Sequence, residues 1–209
     1  AGPYRQKGPR MLAAACARAS HNVAYFDLTG EYTFVADVVH AHAAEAEAKG
    51  NALVTMCGPQ EIVTTEQAAA LAVAKLKEAG HATAYLEVLT TANGGMSGGS
   101  VASGALAQLE ESKQRLADPW LLTDGVDGTG VEPEFQDDVV TTWKDDRWGC
   151  FCGPGSLAAG DARMLRRVSQ KLGWTGGAAP PRVRMYGLYE TERVARYMKM
   201  IVCDGSPAA

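Results

Sequence analysis

V-A-Y-F-D-L-T-G-E, Val23 to Glu31, is the stretch that decides the fold. Tyr25 and Phe26 favour a strand, Gly30 interrupts it, and Glu31 sets a negative charge where the next helix presents its unpaired N–H groups. The stretch reads as one β-turn-α unit. In a parallel sheet, Asp27, Thr29 and Glu31 then stand at the carboxyl end of the strand, the rim at which open α/β sheets bind ligands.

The same rhythm extends to both sides. Before the strand, Met11, Leu12, Ala15, Cys16 and Ala19 recur at spacings of three and four between Gln6 and Ser20, one face of a helix. After it, Phe34, Val35, Val38, Val39, His42 and Ala46 mark a helix from Tyr32 to Lys49, stopped by Gly50. A strand from Ala52 to Cys57, a loop from Gly58 to Thr64 and a helix from Thr65 to Ala79 follow, with Ala68, Leu71, Ala72 and Leu76 on the expected buried side. Helical crossovers between parallel strands bring their strand-to-helix loops to one edge. Ala1 to Tyr4, Asp27 to Glu31 and Cys57 to Glu61 are therefore expected on one rim.

Beyond Gly80 the pattern changes. Ala82, Ala84, Leu86 and Val88 alternate with Thr83, Tyr85, Glu87 and Leu89, which predicts a longer strand with two unlike faces. The turn N-G-G-M-S-G-G-S, Asn93 to Ser100, opens a predicted helix that runs to about Leu116. Pro119 to Thr141 is rich in Asp, Gly and Pro and reads as irregular. Trp148 to Cys152 is a short apolar run. Ala162 to Leu172 and Glu190 to Val202 read as helices, and Val183 to Tyr189 as a strand. The fold class is α/β.

The chain has 209 residues, 46% of them hydrophobic, and a formal net charge of -4. That length holds one domain with a core, or one and part of another. An acidic chain without tracts of Lys and Arg interleaved with aromatics does not attract phosphate backbones, so no nucleic-acid partner is expected. No apolar run reaches bilayer length and the first residues lack signal-peptide regions, which points to an intracellular location, soluble or associated with an organelle or membrane. The five cysteines, scattered at Cys16, Cys57, Cys150, Cys152 and Cys203, do not form a disulfide framework. The sequence opens on Ala1 without Met, and A-G-P-Y reads as a strand end turning into a helix; a fragment or a processed chain is expected.

At these loops the chain resembles the saccharopine dehydrogenase-like oxidoreductases, a group that includes trans-acting enoyl reductases of bacterial lipid synthesis. The resemblance is carried by A-G-P-Y at Ala1 to Tyr4, Y-F-D-L-T-G-E at Tyr25 to Glu31, C-G at Cys57-Gly58, S-G-G-S-V-A-S at Ser97 to Ser103, D-P-W-L-L at Asp118 to Leu122 and R-W-G-C-F at Arg147 to Phe151. It implies the end of a Rossmann-type parallel sheet of three β-turn-α units in residues 1–80, continuing into a mixed α/β catalytic domain in residues 81–209. It also implies an NAD(P) cofactor and hydride transfer to or from a lipid-linked or hydrophobic substrate. No G-x-G-x-x-G follows a strand here, so the main dinucleotide anchor is missing and this chain alone is expected to bind the cofactor poorly. The loop after Cys57-Gly58 also departs from the family, with Pro59, Gln60 and Glu61 where an aromatic and then Asp-Ser are usual.

The resemblance makes Ala1, Gly2, Pro3, Tyr4, Cys57 and Gly58 the candidate cofactor-binding residues and Tyr4, Asp27 and Glu31 the candidate catalytic ones. For Asp27 and Glu31 the alternative is structural, with Thr29 capping the helix and Glu31 favouring its positive end. Ser97, Gly98, Gly99 and Ser100 form a candidate substrate or anion site at a helix N-terminus, with plain capping as the alternative. His40 and His42, two apart on a helix, do not face each other, and Cys150 and Cys152 lack a second ligand pair at zinc spacing, so no metal is expected. Cys57 is expected to be a buried structural thiol, and Cys150 and Cys152 to pack beside Trp148 and Phe151. Trp120, Trp143 and Trp148 are expected to cover core or a partner surface. A second function class stays open: an accessory scaffold that keeps the fold without the cofactor loop, with a homodimer or protein partner over an exposed sheet edge.

Overall fold

The computed structural model describes residues 3–58, 62–91, 97–126, 128–136, 138–174 and 182–203. It is an α/β fold in two compact units, Ala1–Thr64 with Gly95–Leu122, and Thr65–Gly94 with Thr123–Ala209. The chain crosses between them three times, where one boundary after residue 80 would give a single crossing.

The first unit is the β-turn-α rhythm made solid. Helix α1 (Pro9–Arg18) begins on a proline, whose fixed φ and missing N–H suit the first helical position. Strand β1 (Ala24–Phe26) pairs in parallel with β2 (Ala52–Val54), and α2 (Tyr32–Ala48) crosses between them. The core lies where α1 meets α2, with Ala13, Ala17 and Phe34 fully buried and Val35 and Val38 nearly so. Met11 and Leu12 are exposed, so the α1 face that packs runs through Ala13, Cys16 and Ala17, one step round from the apolar row in the sequence. On β1, Tyr25 is buried and its neighbours Ala24 and Phe26 face outward.

The expected helix from Ser97 to Leu116 is two helices, α4 (Gly98–Glu110) and α5 (Lys113–Ala117). The break is local chemistry. Glu111 adopts an extended backbone, and the Ser112 Oγ accepts from Arg115 N at 3.1 Å, opening a new helix instead of continuing the old one.

Helix α3 (Ile62–Glu78) starts before the expected Thr65, and its buried row is Thr65, Ala69 and Val73. Ala68, Leu71, Ala72 and Leu76 are exposed, contrary to the expectation that they face the core. Rows four residues apart are alternatives on one helix, and the more hydrophobic row is not the one that packs here.

The second unit holds a sheet in the order β3 (Leu86–Thr90), β6 (Val183–Tyr189), β5 (Cys150–Gly153), β4 (Trp143–Asp145), parallel at β3–β6 and antiparallel elsewhere. Strand β3 begins at Leu86 rather than Ala82 because Leu86 is opposite Val183, the first residue of β6. Within the stretch expected to be irregular lies the short helix α6 (Pro133–Gln136). Helix α7 (Ala158–Leu172) begins before the expected Ala162, packs on β6 with Leu165 fully buried, and stops at Gly173. Gly173 has φ 64 and donates its N–H to Ser169 O, a left-handed cap that glycine adopts without strain. Helix α8 (Glu192–Val202) lies against β5 and β6. Cys152 is fully buried but Trp148 is exposed, so the thiol does not pack with that indole as expected. Trp143 instead stacks edge-on with Tyr186 at 5.0 Å, and Trp120, in the first unit, is buried. No helix among the described residues is long and apolar enough to cross a membrane.

Candidate functional site

The carboxyl end of the β1–β2 pair gathers the sequence candidates Tyr4, Asp27, Glu31, Cys57 and Gly58. Parallel pairing does most of this. Asp27 N donates to Val54 O at 3.1 Å and Cys57 N to Asp27 O at 2.9 Å, continuing the ladder past the last strand residues. Ala1, Gly2, Pro59, Gln60 and Glu61 lie outside the described residues.

Asp27 is buried, and its Oδ1 accepts Thr29 N at 3.0 Å and Met56 N at 3.1 Å. Met56 has φ 57, a left-handed conformation that a non-glycine side chain resists, so the carboxylate latches a strained residue. Strand β2 ends at Val54, three residues short of the expected Cys57. Cys57 follows with its Sγ donating to Asp27 O at 2.9 Å, and it is half-buried rather than the buried thiol expected. A Cβ on Gly58 would lie 1.9 Å from Leu28 Cδ2. Its missing side chain therefore makes room for Leu28.

Asp27 Oδ2 and Tyr25 Oη are both buried, and the phenol interacts with the carboxylate at close range, outside the geometry of a regular hydrogen bond. They belong to side chains on the same face of β1, two residues apart. Burial first, and then hydrogen bonding to the Asp27 carboxylate beside it, push the Tyr25 phenol well above its usual pKa.

Glu31 stands at the start of α2 but does not cap it with its side chain. Its Oε1 accepts Tyr4 N at 2.8 Å and Ser103 Oγ at 2.7 Å, and its Oε2 accepts Arg5 N at 3.2 Å. Thr29 Oγ1 takes Glu31 N at 3.0 Å, so Thr29 closes the turn while Glu31 clasps the loop before α1 to α4. The Tyr4 ring lies 6.0 Å from that of Phe34. A small cleft on this side is lined by Pro3, Arg5, Glu31, Ser103, Leu106 and Glu111, and neither Asp27 nor Cys57 lines it. Behind it Arg5 and Arg115 both pair with Asp37 and with Glu111. Burial alone would raise the Asp37 carboxyl, but the two guanidiniums outweigh it and hold it below the usual range.

Ser97 caps α4, its Oγ accepting Ser100 N at 3.2 Å and lying 3.0 Å from Ser100 Oγ. Gly98 and Gly99 form the first turn. The contact from α4 to the rim is made by Ser103 through Glu31, not by these four residues.

Four N–H groups of the described rim are not free to receive the pyrophosphate of a dinucleotide. A phosphate site at a helix start needs free N–H groups and no competing negative charge. Here Thr29 N and Glu31 N are taken by Asp27 and Thr29, Tyr4 N and Arg5 N are taken by Glu31, and two acids flank the turn. Among the described residues no three His, Cys, Asp or Glu side chains are grouped to hold a metal ion.

Tyr25, Met56, Ser103, Arg5, Asp37 and Arg115 were not singled out by the sequence. Only Tyr25 carried a signal, since strand alternation puts it on the face of Asp27.

The chain is similar to proteins from two strains of Mycobacterium tuberculosis provisionally named trans-acting enoyl reductases, with 29% identity over an alignment of 188 residues that covers 84% of this chain and 43% of each of those proteins. It is 27% identical over 186 residues to the trans-acting enoyl reductase of Mycobacterium leprae, covering 84% of this chain and 44% of that protein. The chain thus spans under half the length of the curated relatives it matches. No family model and no solved structure matches it.

Proposed function

We propose that this chain is the α/β part of a saccharopine dehydrogenase-like, NAD(P)-dependent oxidoreductase that reduces an enoyl group on a lipid-linked or other hydrophobic substrate. The observation that carries this reading is the likeness to trans-acting enoyl reductases along 84% of the chain. The convergence of Tyr4, Asp27 and Cys57 at the carboxyl end of two parallel strands, where α/β sheets bind ligands, supports it. The pyrophosphate is assigned to residues other than these, because the N–H groups of Tyr4, Arg5, Thr29 and Glu31 are taken by side-chain oxygens.

The test is dinucleotide titration of the full-length gene product, followed at 340 nm with a crotonyl thioester. Saturable NADPH or NADH binding in the micromolar range, on the order of -8 kcal/mol, is expected, with thioester-dependent oxidation of the dinucleotide. The chain of 209 residues alone is expected to bind far more weakly. A full-length product that binds neither dinucleotide overturns the reading.

A second reading, an accessory scaffold, is favoured by one observation: Asp27 and Glu31 both spend their carboxylates on backbone N–H groups. It predicts a stable protein partner or second copy over the open β1–β2 sheet, where Phe26 and Leu28 are 65% and 56% exposed. A monodisperse monomer without partner in native extracts counts against it.

A further inference from the structure

The outer side of a surface helix ordinarily carries charges of both signs. Helix α3 does so with exposed Lys75, Lys77 and Glu78, and α8 with Glu192, Arg193 and Arg196. Helix α1 does not. It turns Ala13, Cys16 and Ala17 inward and shows Arg10, Met11, Leu12, Ala15 and Arg18, with no acid among them. At about 3.6 residues per turn, Met11, Ala15 and Arg18 lie opposite the buried row, with Arg10 and Leu12 on the two flanks. Met11 and Leu12 are 74% and 61% exposed.

The charge is as one-sided as the face. From Pro3 to Phe26 the chain holds Arg5, Lys7, Arg10 and Arg18 and no Asp or Glu, although its net charge is -4. Arg5 is spent on Asp37 and Glu111, but Lys7 and Arg10 are exposed and form no ion pair among the described residues. At the other end of the helix Arg18 shares Glu45 with Lys49, whose ammonium also donates to Arg18 O, so that acid is outnumbered.

We propose that the outer face of α1 makes a peripheral contact with an anionic lipid surface, Met11 and Leu12 entering the boundary between headgroups and acyl chains while Lys7, Arg10 and Arg18 meet the phosphates. Cations without acids fit a negatively charged surface, and the long apolar side chains between them gain nothing from a polynucleotide. Size speaks against a protein partner. A helix of 10 residues is about 15 Å long and about 10 Å wide, roughly 150 Å², against about 800 Å² on each side of a stable protein interface. A lipid surface accepts one convex helix without shape complementarity. Arginines at both ends let the helix lie flat, their stems along the apolar strip and their heads in the phosphate layer. Because Ala13 and Ala17 already hold α1 against its own unit, no ordering cost is paid on contact. Two apolar side chains and three cations make the contact reversible, not an anchor. A lipid-linked substrate would lie in the same surface, but the contact does not depend on that reading.

The full-length gene product, without dinucleotide or thioester, is cosedimented with vesicles of phosphatidylcholine alone and with vesicles containing about one-third phosphatidylglycerol, at about 0.1 M and about 0.5 M salt. Binding to the anionic vesicles only, weakened by salt, is expected. Two double variants, Met11→Ser with Leu12→Ser and Lys7→Glu with Arg10→Glu, should each weaken it about tenfold or more. Leu109→Ser, at the 82% exposed position on α4, should leave it unchanged. Melting curves check folding. If the serine pair does not fold, the charge-reversed pair decides, since acids in the first turn suit the helix dipole.

Absence of binding to anionic vesicles, binding that the α1 variants leave unchanged, or an equal loss in Leu109→Ser overturns the assignment. Self-association without vesicles that the serine pair abolishes also overturns it, and gives the face to a second copy. A product that binds vesicles through α1 yet binds no dinucleotide loses the proposed reaction and keeps this surface.

Discussion

Each unit buries a charged side chain at a structural junction, and the two are treated oppositely. In the second unit Arg163, fully buried on α7, forks onto both oxygens of Asp138 at 3.0 and 2.9 Å and also donates to Ala159 O at 2.7 Å. In the first, Asp27 satisfies two backbone N–H groups with one oxygen and has the Tyr25 phenol beside it, and no cation among the described residues answers its charge. A buried charge costs several kcal/mol of lost hydration in either place. Where a partner of opposite charge answers it in full geometry, its role is to fix the packing. Where only backbone N–H groups and a phenol answer the charge, its cost is met in part, at a strand's carboxyl end where α/β sheets bind ligands.

The largest expected effect tests the closed case. Arg163→Met should destabilise the chain by about 3–5 kcal/mol, because Asp138 and Ala159 O lose their donor while nothing replaces the charge. Urea unfolding reads it as a lower midpoint with an unchanged slope. Arg163→Lys should recover only part of the loss, since an ammonium cannot reproduce the two-pronged geometry. A melt unchanged in Arg163→Met would erase the contrast between the units.

The open case makes a sharper demand. Asp27→Ala strips the acceptor from Thr29 N and Met56 N and should cost about 2–3 kcal/mol, roughly the penalty for two buried unmade hydrogen bonds. Asp27→Asn should match or exceed wild-type stability, because it keeps the acceptor and removes the unpaired charge. If Asp27→Asn is as damaging as Asp27→Ala, the carboxylate is structural, and the comparison between the two units fails on its more informative side. A smaller effect concerns the serines at the start of α4. Ser97→Ala removes a side-chain cap and should lower stability by about 1 kcal/mol in the same urea assay. A change within error would show that the exposed cap is replaced by water.

The contrast also explains what could be read in the sequence. The β-turn-α rhythm was legible because it is local: Tyr32 opens α2 as expected, and Asp27, Glu31 and Cys57 share a rim because parallel pairing fixes where strands end. The register of helix faces was not. Leu71 and Leu76 form the more hydrophobic row of α3, yet Ala69 and Val73 are buried, and no local rule says which row a neighbour will meet. Partners at the rim were not legible for the same reason. Glu31 is occupied by Ser103 and Asp27 by Met56, partners 72 and 29 residues away in sequence. Tyr25 was within reach, since a strand side chain two residues from a candidate acid must share its face.

The Arg5, Asp37, Arg115 and Glu111 network provides the finest discrimination, because it lies in the first unit but is closed in the manner of the second. If satisfaction rather than location determines role, its carboxylates should behave as stability elements with an acid dependence and no ligand dependence. Asp37 has its folded pKa held below the ordinary value of about 3.9, so the unfolded chain takes up its proton first as pH falls. Its contribution is therefore fully present above the unfolded pKa and is lost as pH drops through the lower folded value. The ion pairs are partly exposed, which limits the effect to about 1 kcal/mol. In urea midpoints measured from pH 7 down to about 2, the gap between wild type and Asp37→Asn should be constant above about pH 5 and close below about pH 4. A gap that stays open to the acid end would mean that Asp37 acts through packing and not through charge, and the rule drawn from Arg163 and Asp27 would then not extend to partly exposed networks.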